Sequence, residues 1–405
     1  MHFRTRAIVV GGHHGGHVTA DLCHFWPARK AKCVKSRTAI GIAGYALFLL
    51  LVVSGRPYAS AQSTSPNPSL REVGTGAGIL IGTAVRADQL SEQAYASTLA
   101  REFNMAEAED AMKWWVVRPA RDTFDFRQAD RIADFALAHG MKVRGHTVVW
   151  GRSNPTWVSD YADPEALHAV LHEHIRKVAE HFRGKVFAWD VVNEAFDEKG
   201  NLRSTIWYDQ PGIGFAGQST KYIEQTLVWA HEADPDALLF YNDNEYEGVN
   251  VKSDAIYAMV KDFRCRSVPI DGIGLQMHIF EGKPDFAGIE ANLARFTALG
   301  VHVHITEMDV ALPANAHGTA SDPKDLERQA DIYGEIARIC LAHPGCTAIQ
   351  TWEFTDKYSW IRSASKGAKG TALLFDRDYR PKPAYAALRS ALTERVRDLP
   401  AKAAK

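Results

Sequence analysis

The run 186–200, VFAWDVVNEAFDEKG, is apolar until it reaches Asn193-Glu194, so it reads as a buried strand delivering a carboxyl group to its own C-terminal end. The run 301–310, VHVHITEMDV, repeats the design and carries Glu307 and Asp309 at its end. Parallel barrels keep their chemistry at that end of their strands. Two carboxyl groups meeting there, one protonated and one ionised, are the minimum equipment for cleaving a glycosidic bond. A lone glutamate at a strand end is as often a solvated terminus, so the surrounding elements have to decide.

Those elements alternate. Short β-prone runs fall at 79–85, around 102–106, and at 142–150, 186–194, 238–243, 270–278, 301–307 and 347–354. Amphipathic helical stretches lie between them at 129–139, 164–182, 220–233, 251–263, 286–299 and 323–341. Strand then helix, repeated about eight times, predicts a (β/α)8 TIM barrel, an α/β fold with one catalytic domain. An open doubly wound sheet would want a glycine-rich phosphate loop after an early strand, whereas GTGAG at 74–78 precedes the first one. Glu109, Lys113, His146, Trp150, Asn193, Glu194, Asn242, Asp243, Gln276, His278, Glu307, Asp309 and Trp352 all fall at or just beyond the C-terminal halves of these strands. Carboxylates, amides, imidazoles and indoles gathered at one barrel end predict a single sugar-binding cleft.

The chain has 405 residues, 46% of them hydrophobic and 23% charged, enough to bury a large core. Its formal net charge of −1 gives no basis for a polyanionic partner, and nucleic acid is not expected. Residues 1–61 read as a basic leader and secretory signal: a His-rich GGHHGGH, the cluster Arg29, Lys30, Lys32, Lys35 and Arg37, an uncharged run at 38–54, and the small-x-small pattern Ala59-Ser60-Ala61. The basic region is long for such a signal, which places the expected translation start nearer Val34. A polar linker follows at 62–69, then the folded domain at 70–395 and a tail at 396–405. A secreted or periplasmic monomer without stable membrane association after cleavage is expected; the uncharged run is short for a span of ~20 residues, which makes an uncleaved anchor the weaker alternative.

Read in order, AMKW (111–114), FDF (124–126), GMKVRGHTVVW (140–150), WDVVNEA (189–195), YND (241–243), GIGLQMH (272–278), ITEMD (305–309), TDKYSW (355–360) and LLFDRDYRPKPAY (373–385) resemble the motifs of glycoside hydrolase family 10, the endo-β-1,4-xylanases. The resemblance implies a retaining double displacement without cofactor or metal, with xylan and xylo-oligosaccharides as substrates. It implies that Glu194 is the acid/base, Glu307 the nucleophile, and His278 and Asp309 the support of the nucleophile. It makes Glu109, Asp110, Lys113, His146, Trp150, Asn193, Asn242, Gln276, Trp352 and Trp360 substrate-binding. It also makes Cys340 and Cys346 a candidate disulfide, whose small loop would contribute on the order of 2 kcal/mol. Cys265 is then left as an expected buried thiol.

The chain departs from the family pattern at several positions. Asp110 stands where asparagine is usual, replacing a possible donor by an acceptor. Gly151-Arg152-Ser153 follows Trp150, Asn244 stands where an aromatic often stacks under the leaving-group sugar, and Glu353 follows Trp352 where glycine is usual. Tyr246 is the nearby ring that could take the place of the missing aromatic. Within the same scaffold the alternative activity is a β-1,4-glucanase. A metal-dependent hydrolase is the rival class. It would want paired histidines on the first strand, which has Gly82-Thr83-Ala84, and His302 and His304 have the opposite parity to Glu307, so they are expected to face the helices.

Overall fold

Eight runs rich in β-branched and apolar residues form strands buried along nearly their whole length, the pattern of a sheet closed on itself and wrapped by helices. The computed structural model describes residues 67–399 except 281, 316, 319 and 321. The leader, the signal pattern, most of the linker and the end of the tail lie outside the described residues. After α1 (Leu70–Ala77) the strands are β1 (Leu80–Val85), β2 (Met105–Ala108), β3 (Lys142–Trp150), β4 (Val186–Asn193), β5 (Leu238–Asp243), β6 (Gly272–Leu275), β7 (His302–Val310) and β8 (Cys346–Thr351). Each pairs in parallel with the next, and β8 closes the ring by pairing with both β7 and β1. Helices α2 (Gln93–Glu102), α3 (Arg127–Ala138), α4 (Pro164–His181), α5 (Lys221–Ala233), α6 (Val251–Cys265), α7 (Phe286–Ala298), α8 (Pro323–Ala342) and α9 (Pro383–Asp398) follow the strands in turn. The (β/α)8 barrel read from the sequence is the fold.

The local signals explain these elements. In α4, Leu167, Val170, Leu171, His174, Ile175 and Val178 recur at helical spacing and are buried. Its start is fixed by Asp163, whose carboxylate accepts from the backbone N–H groups of Glu165 and Ala166, with Pro164 in the first turn. Asp322-Pro323 opens α8 in the same way, and Asn250 with Ser253 forms a capping box for α6. In β6 the glycines answer a packing demand. A Cβ on Gly272 would meet the Phe240 ring at 2.2 Å, and one on Gly274 would meet Asn242 Oδ1 at 2.1 Å. Bare backbone on β6 therefore lets β5 direct Phe240 and Asn242 into the barrel.

Several expectations change. The second strand begins at Met105, not near Glu102. Glu102 ends α2 and is buried as an anchor, accepting from Leu70 N at 3.1 Å and from the Tyr385 hydroxyl at 2.9 Å, so it ties three helices together beneath the barrel. His304 does not face the helices. Its Nδ1 lies 2.7 Å from Arg144 Nη1, among the buried charges of the barrel interior, and burial followed by that guanidinium hold the imidazole neutral, well below its ordinary titration range. The parity argument failed because the pairing of β7 with β8 slips: Ile305 opposes Ile349 but Met308 opposes Thr351, so one extra residue lies on β7. The same irregularity places Thr306 and Glu307, neighbours in sequence, against one amide, that of Asn242. Cys340 and Cys346 form the expected disulfide. Cys265 is exposed at the end of α6, not buried.

A candidate glycosidase active site

Glu194 and Glu307 extend from the ends of β4 and β7 and are joined by a chain of three amides. Gln276 Nε2 lies 3.2 Å from Glu194 Oε1 and 3.3 Å from Asn193 Oδ1. Asn242 Nδ2 donates to Asn193 Oδ1 at 2.9 Å and to Glu307 Oε1 at 2.8 Å. Asn242 also accepts from the Thr306 hydroxyl at 2.7 Å. Both hydrogens of its amide and its oxygen are thus engaged inside the protein, and it is fully buried. Asn242 orients the site instead of reaching a sugar. Asn193 is oriented by the same logic: with Oδ1 held by two donors, its Nδ2 turns toward Glu194, 3.4 Å from Oε1.

The backbone is strained where it turns into the cleft. Glu194 has φ 53°, Met277 φ 64° and Glu353 φ 65°, left-handed values that non-glycine residues adopt rarely and that cluster at functional sites. Tyr241 holds the turn at Glu194: its hydroxyl accepts from Ala195 N at 3.0 Å and donates to Asp243, which is paired at 2.8 Å with the buried Lys252.

Glu307 is 4% exposed. Burial alone would raise its pKa, but the hydrogen bond from His278, the nearby charges of His146 and His278, and the Asn242 amide together hold it below the ordinary carboxyl value. His278 Nε2 lies 3.2 Å from Glu307 Oε2, and its Nδ1 lies 3.0 Å from Asp309 Oδ2. Burial works against a charged imidazole here, yet the two carboxylates outweigh it and raise its pKa well above the usual value. The result is an imidazolium gripped on both nitrogens. Asp309 is fixed in turn by Trp360, whose indole N–H donates to the same Oδ2 at 2.8 Å. The sequence placed His278, Asp309 and Trp360 at one cleft; the geometry makes them one relay behind Glu307.

The remaining walls follow. Lys113 Nζ stands 5.3 Å from the Trp150 ring centroid and 5.5 Å from that of Trp352, and pairs with Asp110 at 2.9 Å. His146 meets Trp352 edge-on at 5.3 Å, while its Nδ1 is 3.0 Å from Asp190 Oδ2. Glu109 is mostly buried, and burial, reinforced by Asp110, raises its pKa to about 7. Tyr246 does not substitute for an aromatic at position 244. It is completely buried and donates to Gly274 O at 2.7 Å, while the Asn244 side chain accepts from Lys252 at 3.2 Å.

Sequence reasoning missed the layer beneath the cleft. Glu107, Arg144 and Asp190 meet inside the barrel, with Arg144 Nε 3.1 Å from Glu107 and its guanidinium also bonded to Asp190. Gln350 Nε2 donates to Glu107 at 2.8 Å. A charged residue in the middle of each of the apolar runs MAEA, KVRGH and WDVV was the available signal, since buried charges demand partners. Glu107, His146 and Asp190 could between them present three ligand atoms to a cation. Arg144 already occupies the space between two of those carboxylates, so the set fits an ion-pair cluster better than a metal centre.

Paired carboxyl groups at the C-terminal rim of a (β/α)8 barrel, one ionised and braced by an imidazolium, the other free to lean into an aromatic-walled cleft, define a glycoside hydrolase. The Glycosyl hydrolase family 10 model matches residues 69–391, and the chain belongs to that family. It is 42% identical over 306 residues to Endo-1,4-beta-xylanase B of Thermotoga neapolitana, covering 75% of this chain and 85% of that relative. It is 40% identical over 326 residues to a Beta-1,4-xylanase of Dictyoglomus thermophilum, covering 78% of this chain and 89% of that one. Among solved structures, native xylanase 10B from Thermotoga maritima superposes with a TM-score of 0.77 at 41% identity, covering 82% of this chain and all (100%) of that one. Xylanase 10B from Thermotoga petrophila RKU-1 in complex with xylobiose gives 0.77 at 41% identity, covering 82% and 98%.

Proposed function

We propose that the chain is a retaining endo-β-1,4-xylanase in which Glu307 is the nucleophile and Glu194 the acid/base. The observation that carries the role assignment is the amide chain joining the two carboxyl groups, with the imidazolium of His278 on Glu307 alone. An imidazolium keeps its partner ionised, as a nucleophile must be. Among the described residues no cation is bonded to Glu194, and both of its amide contacts reach Oε1, which leaves Oε2 as the oxygen that carries a proton to the leaving group.

The cycle runs in two displacements. Glu307 attacks the anomeric carbon as Glu194 protonates the departing glycosidic oxygen, and a covalent glycosyl-enzyme forms. The charge on Glu307 disappears in that step, so Glu194, now ionised, removes a proton from water as it attacks the same carbon. Asn193 Nδ2 is the donor to the sugar's 2-hydroxyl, a contact that strengthens as positive charge develops at the anomeric centre. The xylobiose held by the Thermotoga petrophila relative supports a xylo-oligosaccharide as the occupant of the cleft.

Trp352 and Lys113 at the glycone wall set the choice between xylose and glucose, because the acid and the nucleophile are indifferent to a hydroxymethyl group. We expect kcat/KM at least about tenfold higher on β-1,4-xylan than on soluble β-1,4-glucan, a difference that one misplaced hydroxymethyl can supply. Parallel digestion of the two polymers measures it. Equal rates would replace the xylanase assignment by a mixed xylanase and glucanase while leaving the mechanism standing.

Export is part of the same reading. The uncharged run at 38–54 ahead of Ala59-Ser60-Ala61 is built like a cleavable signal, and the disulfide Cys340–Cys346 suits an oxidising compartment. Amino-terminal sequencing of the protein recovered outside the cytoplasm is expected to begin close to Gln62. Recovery of the uncleaved chain in the cytoplasm would overturn it.

A further inference from the structure

A second pair of carboxyl groups stands beside the cleft and has no part in the two displacements. Glu109 lies just past β2 and Glu353 just past β8, within hydrogen-bonding reach of each other. Glu353 is 1% exposed, and its Oε2 accepts from the Tyr95 hydroxyl at 3.0 Å. Its Oε1 and Glu109 Oε2 are both buried, and neither has a hydrogen-bond partner if both groups are taken as ionised acceptors. One proton between the two carboxyl groups satisfies both oxygens at once.

The surroundings say which group holds it. The Glu109 side faces the cations Lys113 and Arg86, opposed by Asp110, whereas the described neighbours that act most on Glu353 are Glu109, Tyr95 and Gln89. Tyr358 and Tyr379 are further ionisable groups packed edge-on against Tyr95. A charge is tolerated better on Glu109 and a proton better on Glu353. With Oε1–H of Glu353 donating to Glu109 Oε2, and Glu353 Oε2 accepting from Tyr95, the pair orients Glu109 and leaves its Oε1 as an acceptor.

We propose that Glu353 is a positioning residue: its protonated carboxyl holds the Glu109 carboxylate in place to accept a hydroxyl of the glycone sugar. The proposal rests on the xylanase reading of the cleft and deepens it at a position where family members usually carry glycine. Burial, and then the neighbouring Glu109, keep the proton on Glu353 well above the ordinary carboxyl range. The arrangement exists between the ionisation of Glu109, at about 7, and the loss of the Glu353 proton: it weakens on the acid side as Glu109 takes up a proton and is lost on the alkaline side as the pair gives up its last one.

The test uses the mature enzyme with an aryl β-xylobioside, whose two xylose units fill the glycone side, and measures KM and kcat separately from about pH 5 to about pH 9. Wild-type KM is expected to rise about tenfold or more on the alkaline side, the order of one hydrogen bond to a charged group. Glu353→Gln keeps a donor toward Glu109 and an acceptor for Tyr95, so its KM stays near the wild-type neutral value and the alkaline rise disappears. Glu353→Ala raises KM by a similar factor at every pH with kcat nearly unchanged. Infrared difference spectra at neutral pH should contain a protonated-carboxyl band that Glu353→Gln removes. An alkaline rise that persists in Glu353→Gln, an equal loss in Glu353→Gln and Glu353→Ala, or the absence of that band would overturn the proposal. Failure of the wild type to cleave any xyloside would instead overturn the xylanase reading, with the infrared band still deciding the proton. If Glu353→Ala does not fold, the pH profile of Glu353→Gln carries the test.

Discussion

Replacing Glu307 by alanine is expected to lower kcat on every substrate, good or poor leaving group alike, by on the order of ten-thousandfold or more, because without the carboxylate no glycosyl-enzyme can form. The site makes this more than a deletion of one group. Glu307 is also the acceptor for Asn242 Nδ2 and His278 Nε2, so alanine leaves a buried amide hydrogen and an imidazolium short of a partner. A stability cost of about 1–3 kcal/mol follows from those unsatisfied donors. Glu307→Gln separates the two effects: it keeps the shape and much of the hydrogen bonding but lacks the nucleophilic oxygen, so it should be as inactive as alanine while melting closer to the wild type. Thermal unfolding and initial rates on an aryl xyloside measure both. Wild-type rates in either variant would remove Glu307 from the mechanism.

The depressed pKa of Glu307 also fixes the acid side of the pH profile. With Glu307 as the proposed nucleophile its ionised form is the reactive one, so initial rates on an aryl xyloside are expected to persist below the pH at which an ordinary glutamate protonates and to fall as pH drops through the lowered value.

Glu194→Ala is expected to fail differently, and the difference is what assigns the roles. An aryl xyloside with a good leaving group departs without help from an acid, so Glu307 can still form the covalent intermediate. Water then lacks its general base, and the intermediate accumulates. Release of the phenol should show a burst of about one equivalent followed by a steady state lowered by on the order of a hundredfold to ten-thousandfold. Activity on xylan itself, whose leaving group needs the proton, should fall by at least as much. Azide, small and already ionised, needs no base and fits the space left by the missing side chain, so it should restore turnover and give a β-xylosyl azide. The retained β configuration in that product reports two inversions at the anomeric carbon. Neither burst nor azide rescue would mean that Glu194 binds substrate and does not transfer the proton. Tyr241, Asp243 and Lys252 hold the turn at Ala195 independently of the Glu194 side chain, so the alanine variant should keep its fold.

The order of the elements was legible in the chain because each barrel strand and helix is encoded locally. Apolar runs of strand length, amphipathic stretches between them and starts such as Asp163-Pro164 depend on neighbours within one element. The two carboxyl groups were legible for a related reason: a polar residue ending an apolar strand has to emerge at the C-terminal rim of a parallel barrel, wherever the other strands lie. So Asn193, Glu194, Gln276, His278, Glu307 and Trp352 could be placed at one cleft before any distance was known. The strand 102–106 was misread because Glu102 anchors α1 and α9, which no local pattern reveals.

Tertiary structure alone decided which groups touch. The slip between β7 and β8 after Ile305 turns Glu307 inward to the Asn242 amide, on the side already faced by His304 and Thr306, and a two-residue alternation counted along one strand has no access to its neighbour's register. Asn242 became an internal brace because β5 sits between β4 and the glycine-bearing β6. Glu109 and Glu353, separated by most of the chain, became partners because β8 closes the barrel onto β1 beside β2. Residue types show what chemistry a chain can perform, but protonation states and hydrogen-bond partners are set by distance and burial, and those exist only once the ring of strands has closed.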